Sequence, residues 1–287
     1  MSNEIINLET SEPVGMFEAL SEGVGKVFNN LGAFFKMCKP ILIITIALLL
    51  IFVPAALVKG ASSFFDIFAG LIVIILGLGL FIYGFWKFLL GCVAVMYLAK
   101  DIFENKPIQT YREYMSYIEK FGGQYALFWL ILVGIQILYF IGALILGFLT
   151  GFLSVSLGAG AFWFFIGIIV LYLTFAVPFF IGTYFSPAFF AFEDKKDPLG
   201  RIGHAIRTSY DNWLPMLFYS LILGIICALA TIIISLIATS VCFVLFHSDK
   251  MIYGAISAII STVAGAIIFY FQMFIFTRYY FELIKKK

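Results

Sequence analysis

Lys87 stands inside a long apolar run, in the stretch YGFWKFLLGC. A charge within a membrane costs about 3 kcal/mol or more and marks a functional site by default. Counted from Ile67 at ~1.5 Å per residue, however, Lys87 lies roughly 30 Å along a helix, close to a membrane surface. Tyr83 and Trp86 beside it are typical of an aromatic belt. We therefore expect Lys87 to reach the lipid headgroups, with a transport or ligand-binding role as the alternative.

Three glutamates each close an apolar run and recur at equal spacing. Each of these glutamates follows a phenylalanine, and Glu104, Glu193 and Glu282 are spaced in steps of 89 residues. One interpretation is solvated charge at helix ends. The other is a ring of ion pairs that holds one face of the protein closed, with Lys106, Lys195 and Lys285 as partners. Arg278 precedes Glu282 by four residues, so the two can pair along one helix face.

Signatures of catalysis or of metal binding are missing from the sequence. The two histidines, His204 and His247, fall on opposite predicted sides of the membrane, so they cannot share a metal. Neither GxxxxGK[ST] nor GxSxG occurs, and Gly77-Leu78-Gly79 lacks the third glycine and the strand–helix setting of a dinucleotide site. We predict no catalytic, cofactor-binding or metal-binding residue and no cofactor.

The composition decides the class of protein. Of 287 residues, 63% are hydrophobic and 12% charged, whereas soluble domains carry about 25% charged residues. Apolar runs of ~20 residues cross the ~30 Å hydrocarbon core as helices. We therefore predict an all-α integral membrane protein with six transmembrane helices. The runs are Pro40–Val58, Ile67–Tyr97, Tyr125–Leu149, Ala161–Phe185, Leu214–Ala238 and Met251–Phe281.

The basic residues predict the orientation of these spans. Of 18 Lys and Arg residues, only Lys59 and Lys250 fall on one side, Lys87 falls within a span, and the others lie on the opposite side. Loops rich in Lys and Arg stay in the cytoplasm. We predict a multi-pass protein of the cytoplasmic membrane with both termini inside. The net charge of +2 gives no reason to expect a nucleic-acid partner.

An amphipathic segment precedes each odd-numbered span. Each segment contains an early proline, at Pro13, Pro107 and Pro198, and is followed by small or polar residues where the chain can turn into the bilayer. A narrow apolar stripe beside a charged face lies at the membrane surface or packs on neighbouring helices. The stripes are Val14, Phe17, Val24, Phe28 and Leu31; Ile108, Tyr111, Met115 and Ile118; and Leu199, Ile202, Ile206 and Tyr210.

These features together predict three copies of one unit, an interfacial helix followed by a span out and a span back. Two spans per unit keep the copies parallel, which suits a pseudo-threefold arrangement about the membrane normal. The repeats cover residues 13–104, 105–193 and 194–287 of one membrane domain. Residues 1–12 are acidic and polar, and we expect a disordered tail there.

The sixth span carries a face of small residues. Rows of this kind let helix backbones approach closely in lipid. The sequence leaves open whether the face packs within the chain or against a second subunit. Its residues are Gly254, Ser257, Ala258, Ser261 and Gly265.

A pattern around the last amphipathic segment resembles a known family. It is formed by Pro187, Glu193, Pro198, Ala205, Ser209 and Trp213. This pattern is similar to the membrane domain beside bacterial glycerophosphodiester phosphodiesterases, and to related six-span bacterial membrane proteins of unknown role. Gly91 to Leu132 resembles the preceding span and interfacial helix of the same family, so the resemblance covers about residues 85–287. The catalytic barrel with its metal-binding His and Glu is missing, so hydrolase activity does not carry over.

Three functions remain open on the sequence. The favoured one is a non-enzymatic scaffold, partner-binding or lipid-handling module, because the charges cluster at the cytoplasmic interface. Its partners would be membrane lipids, a second protein, or a second copy bound through span six. A small-molecule or lipid transporter is the first alternative, and a membrane-embedded lipid enzyme is the second.

Overall fold

The computed structural model describes residue 8 and residues 14–58, 63–157, 159–192, 197–246 and 250–285. These residues form ten α-helices, and no strand occurs among them. The helices are α1 (Met16–Asn29), α2 (Leu31–Met37), α3 (Lys39–Val58), α4 (Phe64–Phe103), α5 (Tyr111–Glu119), α6 (Gly122–Leu157), α7 (Ala159–Phe192), α8 (Pro198–Asp211), α9 (Trp213–Phe246) and α10 (Lys250–Lys285).

Several helices are long and apolar enough to cross a membrane. Over the described residues there are four such spans, within α4, α6, α9 and α10, and a fifth if α2 and α3, which meet at 49°, form one bent span. The chain is therefore a multi-pass membrane protein. The predicted run Ala161–Phe185 falls in α7, whose described apolar segment Ala176–Phe192 is shorter than a span. A crossing at α7, and hence a total of six, stays a prediction.

The chain divides into two compact units. Unit 1 comprises Met1–Glu119 and Ile222–Lys287, and unit 2 comprises Lys120–Leu221. In unit 1, α3 packs along α4, and α10 packs on both of them, with Ile44, Leu48 and Ile259 at the centre. In unit 2, α6 packs on α7, and α8 packs on both.

Helices α5 and α8, which the sequence predicts to be interfacial, begin at residues that can satisfy free backbone N–H groups. Asp197 precedes α8 and its carboxylate accepts from Gly200 N–H at 3.1 Å, with Pro198 in the first turn, as the sequence predicts. Helix α5 begins later than predicted, at Tyr111 instead of Pro107. Its start is a capping box, in which Thr110 N–H donates to the Glu113 carboxylate at 2.6 Å and Glu113 N–H donates to the Thr110 hydroxyl at 3.4 Å.

Helices α1 and α8 match each other closely, although 182 positions separate them. Each has 14 residues and ends at an asparagine, Asn30 or Asn212, with φ and ψ of −125° and 27° in one and −127° and 30° in the other. Each asparagine amide donates to the carbonyl four residues earlier, at 2.9 and 3.1 Å. The chain turns at both residues, where a corner was predicted. This likeness is what an internal repeat produces.

The buried face of these two helices overlaps the predicted apolar stripe only in part. In α8 the buried residues include Arg201, Ile202, Ala205 and Ser209, whereas Leu199 is 63% exposed. In α1 the corresponding positions 19, 20, 23 and 27 are buried, whereas Phe17 is 66% exposed. Small residues such as Gly23 and Ala205 thus lie among the buried positions, whereas Phe17 and Leu199 point away from the protein.

Close backbone approach explains this choice of face. A Cβ added at Gly23 in α1 would lie 2.8 Å from the Ile275 side chain of α10. A Cβ added at Gly182 in α7 would lie 2.8 Å from Ser209 Oγ and 2.9 Å from Ile206 Cα of α8. Small residues are enriched where helices meet in membranes because lipid provides no hydrophobic force that drives large residues together.

We expect Gly182→Ala to lower the stability of the protein by about 1–3 kcal/mol, because the added methyl group overlaps the α8 backbone. Gly203→Ala is the matched control, since a Cβ there meets no atom within 4 Å and alanine favours helix by about 1 kcal/mol. Thermal unfolding in detergent, followed by circular dichroism, measures both. Equal unfolding temperatures for the two variants would contradict the close contact of α7 and α8.

Candidate functional site

Arg278 near the end of α10 is buried and joins two carboxylates. Its Nη1 donates to Glu282 Oε1 at 2.5 Å, and its Nε donates to Glu22 Oε2 at 2.8 Å. Only 5% of Arg278 and 1% of Glu282 are exposed. The pairing with Glu282 is the one that the spacing of four residues predicts. Glu22 on α1 was not foreseen as a partner, because 256 positions separate it from Arg278.

Glu104 and Glu282 also bind the segment before α1. Glu282 Oε2 accepts from Val14 N–H at 2.8 Å, and Glu104 Oε1 accepts from Leu8 N–H at 3.3 Å. Leu8 itself is buried, which differs at this residue from the predicted disordered tail; the rest of that tail lies outside the described residues. We call Glu22, Glu104, Arg278 and Glu282 the carboxylate cluster.

The predicted ring of ion pairs is described at one of its three positions. Glu104, which is 2% exposed, pairs with Lys106 at 2.7 Å. Glu193 and Lys195 lie outside the described residues, and so does the side chain of Lys285. That the pairs close the cytoplasmic face stays a prediction.

Lys87 forms an ion pair with Glu119, the last residue of α5. Its Nζ also lies 5.6 Å from the centre of the Tyr83 ring. The lysine side chain is partly exposed and its partner more so, as expected at a membrane surface. The sequence pattern identified Lys87 but not Glu119, because in the sequence Glu119 resembles any charged residue on the polar face of a short helix.

A groove of about 790 Å³ lies between α3, α4 and α5 around this ion pair. Three cations line it against one carboxylate, which leaves two positive charges in excess. The Lys39 ammonium lies 5.2 Å from the centre of the Tyr111 ring, close enough for a cation–π contact. We call this site the Lys87 groove. Its lining residues are Lys39, Leu42, Ile43, Tyr83, Lys87, Tyr111, Arg112, Met115, Ser116 and Glu119.

Tyr111 gives the groove a neutral hydroxyl group. Burial, followed by the negative charge of Glu119 and then the nearby Tyr83, raises the pKa of Tyr111 to about 12. Because the folded-state pKa lies above its ordinary value, the hydroxyl stays protonated through the physiological range. It is therefore available as a hydrogen-bond donor.

Two further contacts hold helix α5 against α4. The Tyr114 hydroxyl donates to Asp101 Oδ2 at 2.5 Å, and the rings of Tyr97 and Tyr117 meet edge to face with their centres 5.6 Å apart. Burial and the bond to Asp101 raise the pKa of Tyr114. Together with the Lys87 ion pair, these contacts fix the position of the groove wall.

The small-residue face of α10 has no described neighbour at its glycines. A Cβ added at Gly254 or Gly265 would meet no atom within 4 Å, and Ala258 and Ser261 are exposed, whereas Ser257 is half-buried. Packing of these glycines against the rest of the described chain is thus not observed, and self-association through them stays a prediction. Among the described residues, no group of three or more His, Cys, Asp or Glu side chains could hold a metal ion.

We expect Arg278→Met to lower stability by about 3–5 kcal/mol, because it leaves the buried Glu282 charge without its cation. Arg207→Met is the matched control, since Arg207 is exposed and should change stability by less than about 0.5 kcal/mol. The double variant Arg278→Met/Glu282→Gln should recover part of the loss, because the two residues interact directly. The measurement is thermal unfolding in detergent; an Arg278→Met protein as stable as the control would show that the cluster contributes nothing.

Comparison of the chain with protein-family models, curated proteins and solved structures finds no match. The resemblance to the membrane domain of bacterial glycerophosphodiester phosphodiesterases stays a prediction.

Proposed function

We propose that the chain is a non-enzymatic six-span protein of the cytoplasmic membrane, built from three parallel units, with both termini in the cytoplasm. The match of α1 to α8 supports the repeat. Contacts within the two units add to it, because each interfacial helix packs on a returning span: α5 on α4, α8 on α7, and α1 on α10. The first interfacial helix packs on the last span in the same way. The excess of Lys and Arg on one side supports the orientation.

The role we propose is a scaffold at the inner surface that handles lipid or holds a partner. The observation that carries it is the three-sided character of α8. At 100° per residue, Ala205 marks the protein-facing side, while Leu199 and Tyr210, both exposed, lie together on one flank. Arg207 and Asp211, also exposed, lie on the other flank. A helix with these three sides lies where protein, lipid and water meet.

The same order of sides recurs in α1. Phe17 and Phe28 are exposed on the flank that corresponds to Leu199 and Tyr210, and Glu18 and Asn29 are exposed on the other flank. The described ion pairs then fasten this layer to the ends of the spans instead of lining a path through them. A layer that is fixed in this way favours a scaffold over a transporter with moving parts.

Cysteine labelling of α8 tests the proposed position and orientation. In a variant without Cys38, Cys92, Cys227 and Cys242, single cysteines replace Leu199, Ala205 and Arg207 in turn. We expect a membrane-impermeant maleimide to label position 207 fast, position 199 slowly and position 205 hardly at all, in inside-out vesicles only. Labelling of position 207 from the outer face would overturn the orientation, and equal rates at 199 and 207 would overturn the interfacial helix.

Flux measurements separate the scaffold from a transporter. We expect proteoliposomes that contain the protein to release trapped solutes and metabolite mixtures no faster than empty liposomes do. Fluorescent phospholipids should likewise move between the leaflets no faster. The phospholipids should also stay chemically intact. Flux that disappears in Lys87→Ala would identify a transporter, and phospholipid turnover would identify an enzyme. Either result would replace the proposed role while leaving the membrane topology untouched.

A further inference from the structure

We propose that the Lys87 groove binds the phosphate of an anionic phospholipid from the inner leaflet, with the acyl chains lying along α3. This inference rests on the proposed function, because it places α5 and the start of α3 at the cytoplasmic membrane surface. It goes further by assigning a binding site and the chemical class of its ligand.

The excess positive charge of the Lys87 groove favours binding of an anion. Lys39 and Arg112 form no ion pair among the residues that the structure describes, whereas Lys87 already pairs with Glu119. Both Lys39 and Arg112 are exposed, so their charges face whatever fills the groove. Ammonium and guanidinium groups are the side chains that bind phosphate through charge-assisted hydrogen bonds. The protonated Tyr111 hydroxyl adds a neutral donor.

The apolar wall selects a lipid over a free anion. Leu42 and Ile43 line the groove beside Lys39, and Leu42 is 64% exposed. Ile46 and Leu49 follow one and two turns later and are exposed as well. The exposed apolar stripe therefore starts at the cationic groove and continues down α3 toward the centre of the bilayer. A ligand with a phosphate at one end and hydrocarbon at the other matches this order.

The same arrangement disfavours zwitterionic headgroups. A choline or ethanolamine group carries its positive charge a few atoms from the phosphate, where it would meet the excess cations. Among the described residues that line the groove, Glu119 is the one carboxylate, and it already pairs with Lys87. We therefore expect phosphatidylglycerol, whose headgroup has hydroxyls in place of an ammonium, to bind better than phosphatidylcholine.

Calorimetric titration of the full chain in dodecyl maltoside tests the site. Dioctanoyl phosphatidylglycerol is titrated into delipidated protein, with dioctanoyl phosphatidylcholine and inorganic phosphate as separate titrants. We expect saturable binding of phosphatidylglycerol at least about tenfold tighter than that of phosphatidylcholine, a difference in the range of one charge-assisted hydrogen bond. Equal affinity for the two lipids would overturn the proposal. Phosphate that binds as tightly as phosphatidylglycerol would replace the lipid site with a free-anion site.

Two double variants with the same change in net charge locate the site. Lys39→Gln/Arg112→Gln should weaken phosphatidylglycerol binding about tenfold or more. Lys36→Gln/Arg207→Gln removes two exposed cations outside the groove and should leave the affinity unchanged. An equal loss in both variants would mean non-specific attraction of anions and would overturn the groove. Lys39→Arg/Arg112→Lys, which keeps the charges, should keep binding and guards against a folding defect.

Glu119→Gln is expected to raise the affinity for phosphatidylglycerol, a result that a folding defect cannot produce. It removes the carboxylate that competes for Lys87 and raises the excess charge of the groove, so phosphatidylglycerol should bind more tightly. Unchanged or weaker binding in Glu119→Gln, with its unfolding temperature retained, would contradict the proposal. Loss of lipid selectivity would leave the labelling pattern of α8 and the absence of flux intact, so the groove and the scaffold role can fail separately.

Discussion

A helix at the membrane surface contacts three media at once, and its sequence must satisfy each of them with a different side. The protein side accepts small residues, because backbones can then pack closely, as at Gly23 and Gly182. The lipid side takes large apolar residues, which find hydrocarbon there as favourable as a protein core. The water side carries the charges. In the proposed arrangement, this division fixes how α1 and α8 are turned against α10 and α7.

The cost of removing a group from water also determines where the charged side chains lie. A buried ion costs several kcal/mol unless partners replace its water, and the carboxylate cluster provides these partners at the ends of α4 and α10. Arg278 satisfies Glu282 and reaches Glu22, while backbone N–H groups before α1 satisfy the remaining oxygens. The Lys87 groove differs in this respect, because its cations outnumber its carboxylates. A cluster in which the buried Glu104 and Glu282 each have a paired cation fits a structural role, and an excess of positive charge beside an exposed apolar stripe fits a binding role.

Local signals in the sequence predicted local features well. The Asp197 cap, the corner at Asn212 and the pairing of Arg278 with Glu282 involve residues at most four positions apart, so periodicity and capping rules reach them. Glu22 and Glu119 were missed as partners because 256 and 32 positions separate them from Arg278 and Lys87. The sequence left open whether each apolar stripe faces lipid or packs on neighbouring helices, for another reason. In water an apolar stripe identifies the side that packs, whereas in a membrane both lipid and protein are apolar, so large residues no longer indicate the interior.

The hydrogen bond from Val14 to Glu282 joins positions 268 apart, so the ribosome synthesises these two residues at very different times. A chain synthesised at ~5–20 residues per second needs on the order of tens of seconds between them. During that interval the buried face of α1 has no α10 to pack against, and Val14 has no Glu282 carboxylate to bind. Helix α1 is thus synthesised well before α10, the helix on which it packs, and in the proposed arrangement the membrane holds α1 by its exposed apolar side chains until α10 follows.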